Sequence, residues 1–186
     1  GMLAREVFRP QSDDNLLINV FYTTGPKSSL SQHDFPQRSE IMLLQKYLRA
    51  SIREKAIGAN VLLWGRPGTG KTELARYLAQ SLRKKSLEIN TVDFENRALT
   101  AADRLDCYRF CQAVLARGSN AIVTFDEVEE ILCDQSFSRF GFREKGQFTK
   151  GLLNSILESN TTPAIWITNT VDGIDPAYLR RFDMVI

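Results

Sequence analysis

The sequence contains a single histidine, His33, and three cysteines, with Cys107 and Cys111 at helical spacing and Cys133 apart from both. So few ligands cannot furnish a structural zinc site, which takes about four N or S donors, and an odd cysteine count argues against a disulfide framework. The cysteines read as reduced core thiols. Neither sign of charge dominates: 24 lysines and arginines stand against 22 acids, so no global field draws the chain to nucleic acid or anionic lipid. No apolar run approaches membrane-spanning length, so no membrane insertion is expected, and Arg5 and Glu6 interrupt the N-terminus too early for a secretory signal. The chain therefore reads as soluble and intracellular, with the cytoplasm as its expected location. Internal repeats and low-complexity tracts are absent as well. Gly1 ahead of Met2 reads as the scar of a cleaved tag and takes no part in the fold argument.

What remains is 186 residues, 43% apolar and 25% charged, the size of one globular domain with a real core. Residues 1–38 read as an N-terminal extension or linker: the apolar run Leu16–Tyr22 predicts a strand, and Thr23–Ser29 a turn-rich loop. From Ser39, a plausible N-cap, Ile41, Leu44, Leu48 and Ile52 recur at helical spacing up to Gly58. Beyond it, short and nearly unbroken apolar runs alternate with amphipathic segments. The expected strands are Val61–Trp64, Leu87–Val92, Ala121–Phe125, Ala164–Thr168 and one starting at Met184. Helices carry the stripes Leu74/Leu78/Leu82, Leu105/Tyr108/Cys111/Leu115 and Phe148/Leu152/Ile156/Leu157, the second opening on a capping box at Thr100–Asp103. Continuous apolar strands suit a sheet buried on both faces, so residues 39–186 are expected to form an α/β domain, a parallel five-stranded sheet flanked by helices.

Chemistry enters at Gly65-Arg66-Pro67-Gly68-Thr69-Gly70-Lys71-Thr72, a complete G-x-x-x-x-G-K-[ST] between an apolar strand and an amphipathic helix. Glycines let main-chain amides curl around phosphates, the helix start adds its dipole, and Lys71 supplies a point charge to the outer phosphates. Thr72 is placed to ligate Mg²⁺. The segment Ala121–Phe125 ends in Asp126-Glu127. Asp126 at the strand end can hold Mg²⁺ through its water shell, and Glu127 can polarise an attacking water. Phosphoryl transfer needs an oriented nucleophile as well as neutralised charge, so the second acid points past binding to hydrolysis. Glu129 and Glu130 read as solvated helix face.

With these two segments in place the chain resembles the AAA branch of P-loop ATPases, and two further segments strengthen the resemblance. Ala164–Thr168 followed by Asn169 is similar to the family's sensor-1 strand, whose asparagine helps position the lytic water. Ile174–Asp183, containing Arg180-Arg181, resembles the close of the second region of homology, whose arginines reach the ATP site of the next subunit. The resemblance covers roughly residues 34–186. It implies ATP and Mg²⁺ as cofactors, catalytic roles for Glu127, Asn169, Arg180 and Arg181, and self-association into a ring, a hexamer. Read from the residues alone, Asn169 can equally end a strand, and the arginine pair can be a basic surface. Which arginine acts as the finger stays open.

Departures from the family pattern bear on substrate. The loop Asp93–Leu99 lacks the glycine of the usual substrate-gripping loop, and Phe94, directly after the strand, is expected to pack in the core. Phe137–Gly146 interleaves aromatic and basic side chains, suited to an extended polypeptide or to a single nucleic-acid strand. The sequence stops at Ile186, so the family's C-terminal helical lid is not expected here, and these 186 residues are expected to be monomeric, with weak nucleotide binding and slow turnover. Remodelling of a protein substrate is the first functional reading; a nucleic-acid-directed loader and an ATP-dependent scaffold are the alternatives. No Asn-Lys-x-Asp follows the Asp126 strand, since Asn169 precedes Thr170, Val171 and Asp172, which favours adenine over guanine. In relatives the adenine lies against the segment that here includes Asp34 and Phe35.

Overall fold

The structure, a computed structural model, describes residues 19–35, 38–116, 120–133 and 150–186. In chain order the elements are β1 (Tyr22–Thr24), α1 (Arg38–Glu54), β2 (Asn60–Trp64), α2 (Lys71–Ser81), β3 (Lys85–Ile89), α3 (Ala101–Leu115), β4 (Ala121–Phe125), α4 (Glu129–Leu132), α5 (Lys150–Ser159), β5 (Ala164–Thr168), α6 (Pro176–Leu179) and β6 (Met184–Val185). One six-stranded sheet runs in the order β1-β3-β4-β5-β2-β6. β2 through β6 form the expected parallel unit. The sheet as a whole is mixed, because β1 adds an antiparallel edge to β3, with Tyr22 opposite Ile89.

That added strand corrects the reading of the N-terminal segment. Residues 19–21 form a turn, and pairing begins at Tyr22 and runs into Thr23 and Thr24; residues 16–18 lie outside the described residues. At the other edge of the prediction, β3 starts at Lys85 and stops at Ile89, and Val92 instead bridges Ala98 in a small loop of its own. Apolar composition marked both segments, but a partner strand, not composition, sets where a ladder ends.

The central strands alternate their side chains between two cores, as a pleat requires. Val61, Leu63, Ile122, Ile165 and Ile167 face α1 and α2, where Ile41, Leu44, Leu48, Ala75 and Leu78 meet them. Leu62, Val123, Phe125 and Trp166 face α3 and α5 on the other side. There Trp166 lies 4.9 Å from Tyr108 and 5.0 Å from Phe125 between ring centroids, contacts worth about 0.5–1.5 kcal/mol each beyond burial. Because β5 lies between β4 and β2, the residues that follow these three strands, Asp126, Asn169 and Gly65, emerge side by side at one edge of the sheet. Parallel sheets place their ligand sites at this edge, beyond the carboxyl ends of the strands.

Candidate functional site

The loop after β2 turns on glycines. Gly68 and Gly70 take φ of 78° and 85°, and a Cβ added at either would meet nothing within 4 Å. Their requirement is thus conformational, and the space beside them is open. Gly70 caps α2 without a side-chain cap bond, so no cap side chain claims the amides of the first turn. The Thr69 hydroxyl donates to the Arg66 carbonyl at 2.9 Å and braces the loop. Lys71 folds back over it, its Nζ donating to the carbonyls of Gly65 at 2.7 Å and Arg66 at 3.0 Å, and to Asn169 Oδ1 at 3.0 Å. One residue on, the Thr72 hydroxyl donates to Asp126 Oδ2 at 2.6 Å. Four sequence-predicted residues from three strand ends are thereby brought together.

The acid pair at the end of β4 is asymmetric. Asp126 is half-buried, and Glu127 is exposed in a left-handed conformation, φ 53°, with its N–H donating to Asp126 Oδ1 at 2.8 Å. Arg104, which periodicity did not single out, holds the other side. It is 4% exposed, its guanidinium stacks 4.9 Å from the centroid of Phe125, and it donates to the main-chain carbonyls of both Asp126 and Glu127. Burial pushes its pKa below the usual arginine value, while Glu127, Glu130, Asp126 and Glu129 pull it back up. Its only sequence signal was an arginine flanking the apolar stripe of a core-facing helix. Glu129 corrects the reading of a solvated face: it is half-buried, and its carboxylate accepts the main-chain N–H of Asn169. Asn169 is therefore fixed between Glu129 and Lys71.

The two arginines are separated by the structure. Arg181 donates to Glu158 Oε1 at 2.7 Å and to the Ala177 carbonyl at 2.5 Å, whereas Arg180 is exposed and its guanidinium makes no hydrogen bond among the described residues. The short helix α6 that precedes them is started by Asp175, which accepts the Ala177 N–H at 2.8 Å, and by Pro176 at the first helical position. After them Asp183 accepts the Asn60 N–H at 2.9 Å and returns its own N–H to the Asn60 carbonyl at 2.9 Å, tying the segment to β2.

A cleft of about 570 Å³ runs from Thr72 and Asp126 to the loop that carries Phe94. Core packing was expected for Phe94, and the structure overturns it: the ring is 60% exposed. The cause is a tight turn. The Asp93 carboxylate accepts the N–H groups of Glu95 at 2.8 Å and Arg97 at 2.9 Å, Asn96 adopts φ 60°, and Phe94 is left at the tip. Phe35, by contrast, is buried against Tyr77 at 5.5 Å, and Asp34 is committed to Ser31. The Phe137–Gly146 segment lies outside the described residues, as does the first part of the N-terminal extension.

These donors fit a nucleoside triphosphate with a divalent ion. Open space beside Gly68 and Gly70, an ammonium held in the loop and a hydroxyl–carboxylate pair are what phosphates and a hard cation require. Among the described residues no cluster of three or more His, Cys, Asp or Glu could hold a metal alone, so phosphate and water would complete a Mg²⁺ shell. No helix among them is long and apolar enough to cross a membrane.

Comparison with known proteins matches residues 61–186 to the family described as "ATPase family associated with various cellular activities (AAA)". The chain is 32% identical to the 26S proteasome regulatory subunit 6B homolog of Aspergillus niger, over 94% of this chain and 43% of that protein. It is 33% identical to the ATP-dependent zinc metalloprotease FtsH 2 of Sphaerobacter thermophilus, over 78% of this chain and 23% of that protein. Against Fidgetin-like protein 1 of Drosophila melanogaster it is 33% identical over 66% of this chain and 24% of the relative. The chain thus spans less than half the length of these curated relatives. The solved structure of C. elegans PCH-2 shares the fold, with a TM-score of 0.53 at 24% identity over 81% of this chain and 43% of that one.

Proposed function

The chain belongs to the AAA family of ATPases, and from that premise we propose that it binds ATP with Mg²⁺, hydrolyses it, and uses the cycle in a ring assembly to remodel a protein substrate. The observation that supports this most is the convergence of Lys71, Thr72, Asp126 and Asn169 beside the open face of the glycine loop. Main-chain amides of residues 68–72 and the Lys71 ammonium bind the β- and γ-phosphates, for which Lys71 exchanges its hold on the Gly65 and Arg66 carbonyls. Thr72 and Asp126 would hold Mg²⁺, which would supply neutralising charge to the phosphate oxygens. Glu127 accepts a hydrogen bond from the attacking water and takes its proton as the bond between the γ-phosphorus and the β-bridging oxygen breaks. Asn169, steadied by Glu129, orients the same water.

Arg180 is the finger offered to the next subunit's γ-phosphate, and Arg181 is its anchor within the domain, since of the two only the Arg180 guanidinium makes no hydrogen bond among the described residues. A finger acts in trans, so these 186 residues, expected to be monomeric on their own, should turn over slowly. Phe94 supports a polypeptide substrate: an exposed aromatic on a braced turn at the far end of the nucleotide cleft suits gripping an extended chain. The nucleic-acid reading rested on residues 137–145, and no described feature favours it. The test is ATP turnover by the full-length protein: Glu127→Gln should bind ATP and stop hydrolysis, and Phe94→Ala should keep basal turnover while losing stimulation by an unfolded protein substrate. Normal hydrolysis by Glu127→Gln contradicts the catalytic assignment.

A further inference from the structure

Glu127 is an unusual place for a left-handed residue. It has a Cβ, it is not Asn or Asp, and L side chains in this region are strained. Such a conformation persists only where its surroundings over-determine it, and here three contacts do so. The Glu127 N–H is held by the Asp126 carboxylate at 2.8 Å, and the next N–H, of Val128, donates to the Ile167 carbonyl at 3.1 Å on β5. The third contact is Arg104, whose two terminal nitrogens reach the consecutive carbonyls of Asp126 and Glu127. Its Nε has no hydrogen-bond partner among the described residues, so the hydrogen bonds of the side chain go to this one stretch of main chain.

Burying a guanidinium is costly, and a side chain needed only for packing over Phe125 would serve as well without charge. Four carboxylates face it electrostatically, those of Glu127, Glu130, Asp126 and Glu129, yet its hydrogen bonds go to carbonyls. The planar fork is what distinguishes arginine here, because it can span two adjacent acceptors that a lysine ammonium would meet one at a time.

We propose that Arg104 is a positioning residue for hydrolysis: by gripping the carbonyls of Asp126 and Glu127 from inside the domain, it holds the left-handed turn that presents the Glu127 carboxylate at the phosphate site. The inference rests on the role of Glu127 proposed above. It predicts a selective defect. A nucleophile-orienting group displaced by about 1 Å can cost on the order of 100-fold in rate, while Lys71 and Thr72, which bind the nucleotide, share no hydrogen bond with Arg104.

The experiment compares Arg104→Met, which keeps the apolar stem, with Arg104→Lys and Glu127→Gln in the full-length protein, measuring ATP·Mg²⁺ affinity, single-turnover rate and thermal melting. Arg104→Met should lower the rate by about 10- to 100-fold with affinity within about threefold of the original protein, and Arg104→Lys should fall between them. Added to Glu127→Gln, Arg104→Met should slow the reaction no further, because both changes remove one function. A purely structural role would lower the melting temperature and cut rates additively. The proposal is overturned if Arg104→Met hydrolyses within about twofold of the original rate while Glu127→Gln is slow, or if the two changes add. Should Arg104→Met fail to fold, Arg104→Lys carries the same reading, and an unchanged rate there overturns it. If Glu127→Gln itself hydrolyses normally, the fault lies with the underlying catalytic assignment.

Discussion

Replacing Asn60 with alanine should destabilise the domain by several kcal/mol, although Asn60 lies nowhere near the phosphate cradle. Asn60 is 0% exposed at the start of β2, and its side chain serves four partners. Its amide nitrogen donates to the carbonyls of Leu157 at 2.6 Å and Gly58 at 2.9 Å and to Asn160 Oδ1 at 3.2 Å, while its Oδ1 accepts from Trp166 Nε1 at 2.9 Å. Alanine leaves the Trp166 N–H, in a side chain that is itself 0% exposed, without an acceptor, and Asn160 Oδ1 without this donor. Each buried group left unmatched costs about 1–3 kcal/mol, so the two together cost about 2–6 kcal/mol out of a total stability of about 5–15 kcal/mol. Aspartate is the sharper probe. It keeps an acceptor for Trp166 but turns an acceptor oxygen toward Leu157 and Asn160, and burial raises its folded pKa above the unfolded value. Stability lost at neutral pH should therefore return in part as the pH falls and the carboxyl protonates. Urea unfolding followed by circular dichroism measures both variants. An Asn60→Ala protein within about 0.5 kcal/mol of the original would refute the reasoning.

Other consequences follow from single contacts. Glu129→Ala removes the acceptor for the Asn169 N–H and should slow ATP turnover by about tenfold with nucleotide affinity little changed; Glu129→Gln, which keeps an acceptor, should lose less. In the assembled protein Arg180→Ala should reduce turnover by about 10³-fold at unchanged affinity, whereas Arg181→Ala should act mainly by loosening the segment and cost less, a split visible in steady-state kinetics. Burial pushes the Cys111 thiol up to about 12 and that of Cys107 up to about 11. Native protein at pH 8 should therefore leave both unmodified by iodoacetamide over a time that labels them fully in urea. Because these pKa values are raised in the folded state, their contribution to stability is whole below the ordinary thiol value of 9.0 and is lost as pH rises past it toward 12, which pH-dependent unfolding would register.

The parts of the site legible in the sequence were those fixed by local chemistry. A glycine-rich loop between an apolar strand and an amphipathic helix has few other uses, and the acids after Phe125 are marked by their place at the end of a buried strand. The alternation implied that the strands run parallel, but the order that brings Asp126, Asn169 and Gly65 together is set by strand pairing that the sequence does not display, and β1 was misplaced because an edge strand is defined by its partner. Arg104, Glu129 and Phe94 were missed or misread for one reason: each takes its role from contacts distant in sequence or from a turn whose signal is a single aspartate. Arg104 reaches main chain more than twenty residues on, Glu129 reaches Asn169, and Phe94 is turned outward by Asp93 capping its own loop. Periodicity reports which face of an element is buried, and it is silent about a charged residue that is buried in order to hold a carbonyl.

Equilibrium titration with ATP and Mg²⁺ most directly tests the cradle formed by Lys71, Thr72 and Asp126. The account predicts saturable binding by the full-length protein, loss of that binding in Lys71→Ala, and loss of the Mg²⁺ dependence in Thr72→Ala. Binding by Lys71→Ala as tight as that of the unaltered protein would contradict it.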